Sequence, residues 1–319
     1  MAAPLRIQKA ATELLGIRHP VLLAGMFAVS SPKLAAAVTN TGGLGVIGSG
    51  AYKRDQLRKT LDELKGYLVD KSAPFGVDLL TPQVGGNARK TNYDYSEGKL
   101  DDLIEGIIES RAKLFVCAVG IPPPRVVDRL HAGGVLYMNM IGHPYHAQKA
   151  IDAGADLLRF TGKEVALIAG GGGLFNGQCL AESLMLGASA VWIGTRFILC
   201  DEAGASVSHQ QALLEANHGD IIRTTVFTGR PLHAKATLYL RRWEEQRREE
   251  KLQLQSQGII PVNHDLETKP GDEEVSENAH PVLMGKVAPM VTEKLPAKRI
   301  VEEMVEAAAQ LLRQGTCRL

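Results

Sequence analysis

The residues in this chain best suited to chemistry are glycines. Gly170, Gly171, Gly172 and Gly173 form one run after the apolar stretch 165–168, and Gly194, Thr195 and Arg196 follow the apolar stretch 190–193. Without Cβ atoms to cover them, backbone N–H groups stay open to the oxygens of an anion, and such loops cradle phosphate. Thr195 would add a hydroxyl. A phosphate-bearing ligand is the leading reading, and ordinary glycine turns are its rival. At the end of the first apolar stretch stand Ala24, Gly25 and Met26. A glycine there can let backbone lie flat against a planar ring, although the same residues also suit a turn filled by Met26. No GxGxxG turn leads from that first stretch into a helix, and no GxxxxGK[ST] occurs, so dinucleotide-fold and P-loop readings fall away. Among the nine histidines, His143 follows the fifth apolar stretch and is the best-placed candidate base; capping of the next helix is the competing role. His233 is a weaker candidate, and surface roles are expected for the rest. Arg89 and Lys90, in the loop 83–95, could attract an anionic substrate or be plainly solvated.

These residues need elements to hold them. Apolar runs at 21–24, 44–47, 75–80, 114–119, 135–141, 156–160, 165–168 and 190–193 alternate with helix-like stretches such as 32–39, 100–111 and 144–153. Short apolar runs bounded by glycine or proline read as buried parallel strands, and their alternation with helices gives an α/β domain. The run count predicts a (β/α)8 barrel of the TIM type, with an open doubly wound sheet as the alternative. In such a barrel the loops after strands seven and eight form the phosphate site, which is where the two glycine clusters fall.

One interval breaks the rhythm. Only Thr161, Gly162, Lys163 and Glu164 separate runs six and seven. Parallel neighbours need a crossover of about a dozen residues or more. The barrel is therefore predicted to be incomplete around strand six. The expected organisation is a barrel over 1–205, a lid or substrate subdomain over 206–298, and a helix over 299–319 returning to the barrel. Within the middle part, 241–257 reads as one solvated helix and 261–279 as acidic loop.

Composition narrows the class. The chain has 319 residues and a formal net charge of +1, from 36 Lys and Arg against 35 Asp and Glu. That balance offers no electrostatic footprint for nucleic acid and no polybasic membrane surface. No apolar run is long enough for a membrane span. Cys117, Cys179, Cys200 and Cys317 show no CxxC spacing, so no structural metal site is expected and a reducing compartment is. The cytoplasm is the expected location. The C-terminal Cys317, Arg318 and Leu319 offer a peroxisomal alternative. A small molecule is the expected partner, and homo-oligomerisation is left open.

Several strings together resemble the nitronate monooxygenase family, also called 2-nitropropane dioxygenases. They are Gly16-Ile17-Arg18-His19-Pro20-Val21, Ala24-Gly25-Met26, Thr41-Gly42-Gly43-Leu44-Gly45-Val46-Ile47-Gly48 and Phe75-Gly76-Val77-Asp78-Leu79-Leu80. Asn176-Gly177, Gly187-Ala188-Ser189, Gly194-Thr195-Arg196-Phe197 and Phe227-Thr228-Gly229-Arg230-Pro231 continue the likeness. Gly142-His143-Pro144 and Gly258-Ile259-Ile260-Pro261 resemble its fungal-type branch. The resemblance covers nearly the whole chain. It implies a (β/α)8 barrel holding FMN, with Gly25 and Met26 against the isoalloxazine and Asp78 beside it. It implies that Gly172, Gly173, Gly194 and Thr195 hold the phosphate. It also implies oxidation of alkyl nitronates with O2 to a carbonyl compound and nitrite. The likeness fails between residues 158 and 165. There the family carries an Ala-Gln-Gly turn and a Gly-Gly-His-Thr-Gly type loop whose histidine is assigned as base. An internal deletion of one βα crossover is thus expected. Alternatives are a catalytically impaired flavin-binding remnant and an FMN-dependent enoyl reductase-like enzyme.

Overall fold

The computed structural model describes residues 6–48, 50, 52–143, 145–159 and 168–316. The first two thirds of the chain form eight short strands. They are β1 (Val21–Leu23), β2 (Gly45–Gly48), β3 (Phe75–Leu80), β4 (Leu114–Val119), β5 (Leu136–Met140), β6 (Leu157–Arg159), β7 (Ile168–Gly171) and β8 (Ala190–Ile193). They pair side by side in the order β1-β8-β7-β6-β5-β4-β3-β2, every pair parallel. The first and last of that order also meet. Leu22 bridges Leu44, Leu23 N–H donates to the Leu44 carbonyl at 2.9 Å, and Leu44 N–H donates to Val21 at 2.9 Å. This is an α/β fold with a parallel sheet of the TIM-barrel type.

Side chains alternate across such a sheet. Leu22, Ala24, Val46, Leu114, Val116, Met138, Leu157, Ala169, Ala190 and Trp192 pack together on its inner side. Their neighbours Leu23, Ile47, Val77, Leu79, Phe115, Tyr137 and Ile193 pack in a second cluster with the helices. Helix α1 (Ala10–Leu15) precedes β1. Helices α2 (Pro32–Thr41), α3 (Arg54–Tyr67), α4 (Leu100–Glu109), α5 (Pro124–Ala132) and α6 (Tyr145–Asp152) follow β1 to β5, while α7 (Gly177–Met185) and the short α8 (Thr195–Ile198) follow β7 and β8. Local sequence sets their starts. Ser31 accepts Leu34 N–H at 3.1 Å with Pro32 at the first helical position, and Asn176 accepts Cys179 N–H at 3.0 Å.

Two expectations about this region need restating. Strand β7 is described over Ile168–Gly171, so it extends beyond the expected 165–168 through Gly170 and Gly171. Apolar patterning cannot mark glycine as strand, because glycine has no side chain to alternate. Residues 160–167, which contain the four-residue interval and the rest of the expected strand, lie outside the described residues.

By contacts the chain divides into two compact units, one of 1–81, 95–205 and 293–319, the other of 82–94 and 206–292. The second contains α9 (Val207–Leu214), an antiparallel hairpin of β9 (Ile221–Thr224) and β10 (Leu232–Lys235), and helices α10 (Leu238–Glu245), α11 (Arg248–Ser256), α12 (Pro261–Thr268) and α13 (Glu273–Asn278). The stretch read as one solvated helix is thus two helices, and Trp243 in the first is fully buried. The stretch read as acidic loop is largely helical. Pro261 starts α12, and Asp272 caps α13 by accepting Val275 N–H at 3.1 Å. The final helix α14 (Ala297–Thr316) returns to pack on α7 and α2 in the first unit.

The second unit has an apolar core that includes Val226, Leu240, Trp243, Ile260 and Val262, and a buried carboxylate lies against it. Asp265 is fully buried, and it accepts from Tyr239 Oη at 3.0 Å, Trp243 Nε1 at 3.0 Å and Arg247 Nη1 at 2.8 Å. The Arg247 guanidinium also lies 3.5 Å over the Trp243 ring. Burial opposes the Asp265 charge, but Arg247 and Tyr239 outweigh it and hold the carboxyl below its usual range. A carboxyl with a lowered folded pKa stabilises fully above its unfolded value, about 3.9, and loses that stabilisation as pH falls below it. Asp265→Asn should therefore cost about 2 kcal/mol at neutral pH, because the buried site loses its charge-assisted bonds to Arg247, which keeps only Glu250 as a charged partner among the described residues. Urea denaturation followed by tryptophan fluorescence should show that loss at pH 7 and a much smaller one at pH 3.

Candidate active site

The inner face of the first unit is apolar until the C-terminal ends of its strands, and there its chemistry changes. Leu23 pairs with Ile193, so β1 and β8 end together, and Gly48 at the end of β2 pairs with Asp78, two residues before the end of β3. Ala24 N–H extends the β1–β8 ladder by donating to Ile193 at 2.8 Å. The next residue, Gly25, passes so close to β3 that a Cβ on it would lie 2.4 Å from both Cβ and Oδ2 of Asp78. Met26 follows, with its Sδ 3.5 Å from where a Cβ on Gly194 would stand.

Ser30 pins this turn. Its hydroxyl oxygen accepts from Met26 N–H at 2.8 Å and Gly48 N–H at 2.9 Å, and the hydroxyl donates to the Met26 carbonyl at 2.8 Å. The turn also holds Ala28 at φ 60°, a left-handed conformation costing a non-glycine residue about 1–2 kcal/mol. Sequence patterning gave no sign of Ser30's role, because a serine before Ser31 and Pro32 reads only as part of a helix start.

Asp78 is 3% exposed, on the inner side of β3. Ala118 N–H donates to its carboxyl, but Oδ1 is buried with no hydrogen-bond partner. Burial pushes this carboxyl well above the usual carboxylate range, and the Ala118 bond offsets only part of the rise. On the outward face of β4, Cys117 lies 2.8 Å from Thr81 Oγ1, and burial pushes its thiol up to about 12. It is an inert neutral thiol.

The glycine run divides into two roles. Gly170 and Gly171 are strand residues, with Gly171 paired to Trp192 on β8. Gly172 and Gly173 then leave the sheet at φ 96° and 76°, values that favour glycine, and both are exposed. Register thus places them beside the exit of β8, where Gly194 precedes Thr195 at the start of α8. Gly25, Met26, Asp78 and Gly194 meet at the rim through the contacts above; Gly172, Gly173 and Thr195 adjoin them through the β7–β8–β1 ladder.

The histidines stand elsewhere. His143 is exposed, and its Nδ1 accepts Tyr145 N–H at 3.1 Å, so its ring caps the first turn of α6. His233 lies on β10 in the second unit, where burial and the charges of Lys286 and Arg223 hold its pKa down. His19, expected at the surface, is buried where the chain enters β1, and its backbone N–H donates to the Gly42 carbonyl at 2.8 Å. Arg89 and Lys90 belong to the second unit. Cys317, Arg318 and Leu319 lie outside the described residues. Among those residues no helix is long and apolar enough to cross a membrane, and no three His, Cys, Asp or Glu side chains are grouped to hold a metal ion.

With this geometry in hand, comparison with known proteins gives a consistent result. The nitronate monooxygenase family profile matches residues 8–166 and 163–307. A probable nitronate monooxygenase of Staphylococcus saprophyticus is 25% identical, across 76% of this chain and 82% of its own length. The nitronate monooxygenase of Pseudomonas aeruginosa is 30% identical, across 69% of this chain and 77% of its own length. Among solved structures, FabK from Thermotoga maritima has a TM-score of 0.80 at 25% identity, covering 98% of this chain and 100% of that one.

The buried Asp78 carboxyl makes the stability of the unliganded protein depend on pH. A carboxyl whose folded pKa is raised above its unfolded value, about 3.9, stabilises the fold at acid pH. It destabilises progressively as pH rises from there to the folded pKa. Asp78→Asn should therefore raise the thermal midpoint of the unliganded protein at pH 8 and leave it nearly unchanged at pH 4. Calorimetry of both proteins at the two pH values checks the sign; an equal change at both would refute it.

Proposed function

The chain belongs to the nitronate monooxygenase family, and from that premise we propose that it is an FMN-dependent oxidoreductase converting alkyl nitronates and O2 to a carbonyl compound and nitrite. The observation that carries this reading is the rim where Gly25, Met26, Asp78 and Gly194 converge.

The residues fit FMN on two counts. Gly25 presents backbone where any Cβ would overlap Asp78, and Asp78 Oδ1 is a buried polar atom that the protein leaves without a partner. Both suit the edge of a planar, hydrogen-bonding ring. Gly172 and Gly173 put bare, left-handed backbone next to the β8 exit, as an anion cradle requires. In this reading Gly25, Met26 and Asp78 hold the ring, while Gly172, Gly173, Gly194 and Thr195 hold the phosphate. When bound, the flavin supplies the passage of electrons from substrate to O2. The chain's own part is to orient and to exclude water. Val46, Val116, Met138 and Trp192 form an apolar floor beneath the rim, which strengthens every polar contact above it.

The missing base limits the substrate. The family profile matches in two segments that meet at residues 163–166, a break that fits an internal deletion between 158 and 165, and the strings Gly142-His143-Pro144 and Gly258-Ile259-Ile260-Pro261 support the fungal-type branch. His143 does not replace the lost histidine, because its Nδ1 is engaged in capping α6. Nitronates are already anions and need no proton removed; neutral nitroalkanes do.

Purified protein should therefore be yellow with bound FMN. It should release nitrite from propyl-2-nitronate at least about a hundredfold faster than from 2-nitropropane, the usual contribution of a positioned base. His143→Ala should leave both rates unchanged, whereas Gly25→Val should yield colourless protein. Failure to take up FMN would overturn the reading, and flavin-dependent oxidation of NADH or NADPH without nitrite release would replace it with enoyl reduction.

A further inference from the structure

Four buried side-chain polar atoms among the described residues lack a hydrogen-bond partner: His19 Nδ1, Asp78 Oδ1, Asn92 Oδ1 and Tyr137 Oη. Of these, Asp78 stands at the rim described above. Strand alternation directs it inward, since Val77 and Leu79 on either side pack in the outer cluster. Its surroundings supply no positive charge. β2 contributes only Gly45, Val46, Ile47 and Gly48, and the turn after β1 contributes Gly25 and Met26. On β4 the neighbouring titratable group is Cys117, which faces outward and whose burial keeps it a neutral thiol. Behind it on β5, burial likewise holds Tyr137 as a neutral phenol. Among the described residues, no Lys, Arg or His charge acts on Asp78.

An ionised carboxyl here would be a buried anion facing an apolar floor with one backbone donor. A neutral acid fits better. Its carbonyl oxygen takes the Ala118 N–H, and its O–H is left without an acceptor in the protein. We propose that Asp78 is a protonated hydrogen-bond donor to the bound flavin ring, so that flavin binding and protonation of Asp78 are coupled. The proposal rests on the FMN reading above and adds to it a proton that the site must hold. An asparagine would donate a similar bond without a charge state, so the distinctive consequence of aspartate is a pH limit on cofactor retention. The acid form binds. Once the pH exceeds the pKa of Asp78 in the flavin-free site, affinity falls by up to about tenfold per pH unit.

Riboflavin is the suitable probe, because it lacks the FMN phosphate and so removes that group's own titration. The full chain, stripped of flavin, would be titrated with riboflavin by fluorescence quenching from about pH 5 to 9, below the range where the flavin ring ionises. Affinity of the unmodified chain should fall towards the alkaline end, while that of Asp78→Asn should stay flat. A second measurement needs no variant. Heats of riboflavin binding to the unmodified chain, taken in two buffers of different ionisation enthalpy, should reveal proton uptake approaching one per flavin at the alkaline end. Flat affinity in the unmodified chain, an equal slope in Asp78→Asn, or no proton uptake would each overturn the coupling while leaving the FMN reading standing. No binding of either FMN or riboflavin at any pH would overturn both.

Discussion

In a parallel sheet, register decides which residues leave their strands together, and the rest of this site follows from that constraint. Leu23 opposite Ile193, Gly171 opposite Trp192 and Gly48 opposite Asp78 bring separate turns to one rim. Once those ladders are set, Gly25 has no room for a Cβ, and Ser30 can reach the amides of both Met26 and Gly48. A slip of β3 by one residue against β2 and β4 would turn Asp78 outward among the helices and bring Val77 to the rim.

The rim concentrates features that do not help the fold. Asp78 is a buried carboxyl with an orphaned oxygen, and Ala28 holds a left-handed backbone. Both disfavour folding by themselves, and both sit above an apolar interior whose side chains pack without such conflicts. The second unit shows the opposite arrangement. Its buried carboxylate, Asp265, is surrounded by donors from Tyr239, Trp243 and Arg247 and ties α10 and the start of α11 to α12. Two buried aspartates in one chain thus differ in what surrounds them, one left with an unpartnered oxygen and the other fully met by donors.

Much of this was legible in the residues themselves. Seven of the eight apolar runs coincide with strands to within a residue or two at each end, because short valine, leucine and isoleucine runs have little else to form in an α/β chain. The turn glycines were visible as clusters. What remained hidden depends on long-range contacts. The glycine half of β7 has no pattern to read, and the helix containing Trp243 looked solvated because its charges outnumber its few anchors. Histidine placement was equally opaque: topology put His143 on a plausible rim, but only the 3.1 Å bond from Tyr145 N–H shows its ring committed to the helix.

The second unit is assembled from two pieces of sequence, 82–94 and 206–292. The short piece is built in tightly. A Cβ on Gly229 would stand 2.2 Å from Thr91 Oγ1, and one on Gly258 would lie 3.0 Å from the Lys90 carbonyl. This unit is therefore not a detachable cassette. A graft, truncation or recombination event that moved the long segment without its short companion would leave a socket lined for a loop that never arrives. Among relatives, the two segments should be inherited as one block despite the intervening stretch of chain.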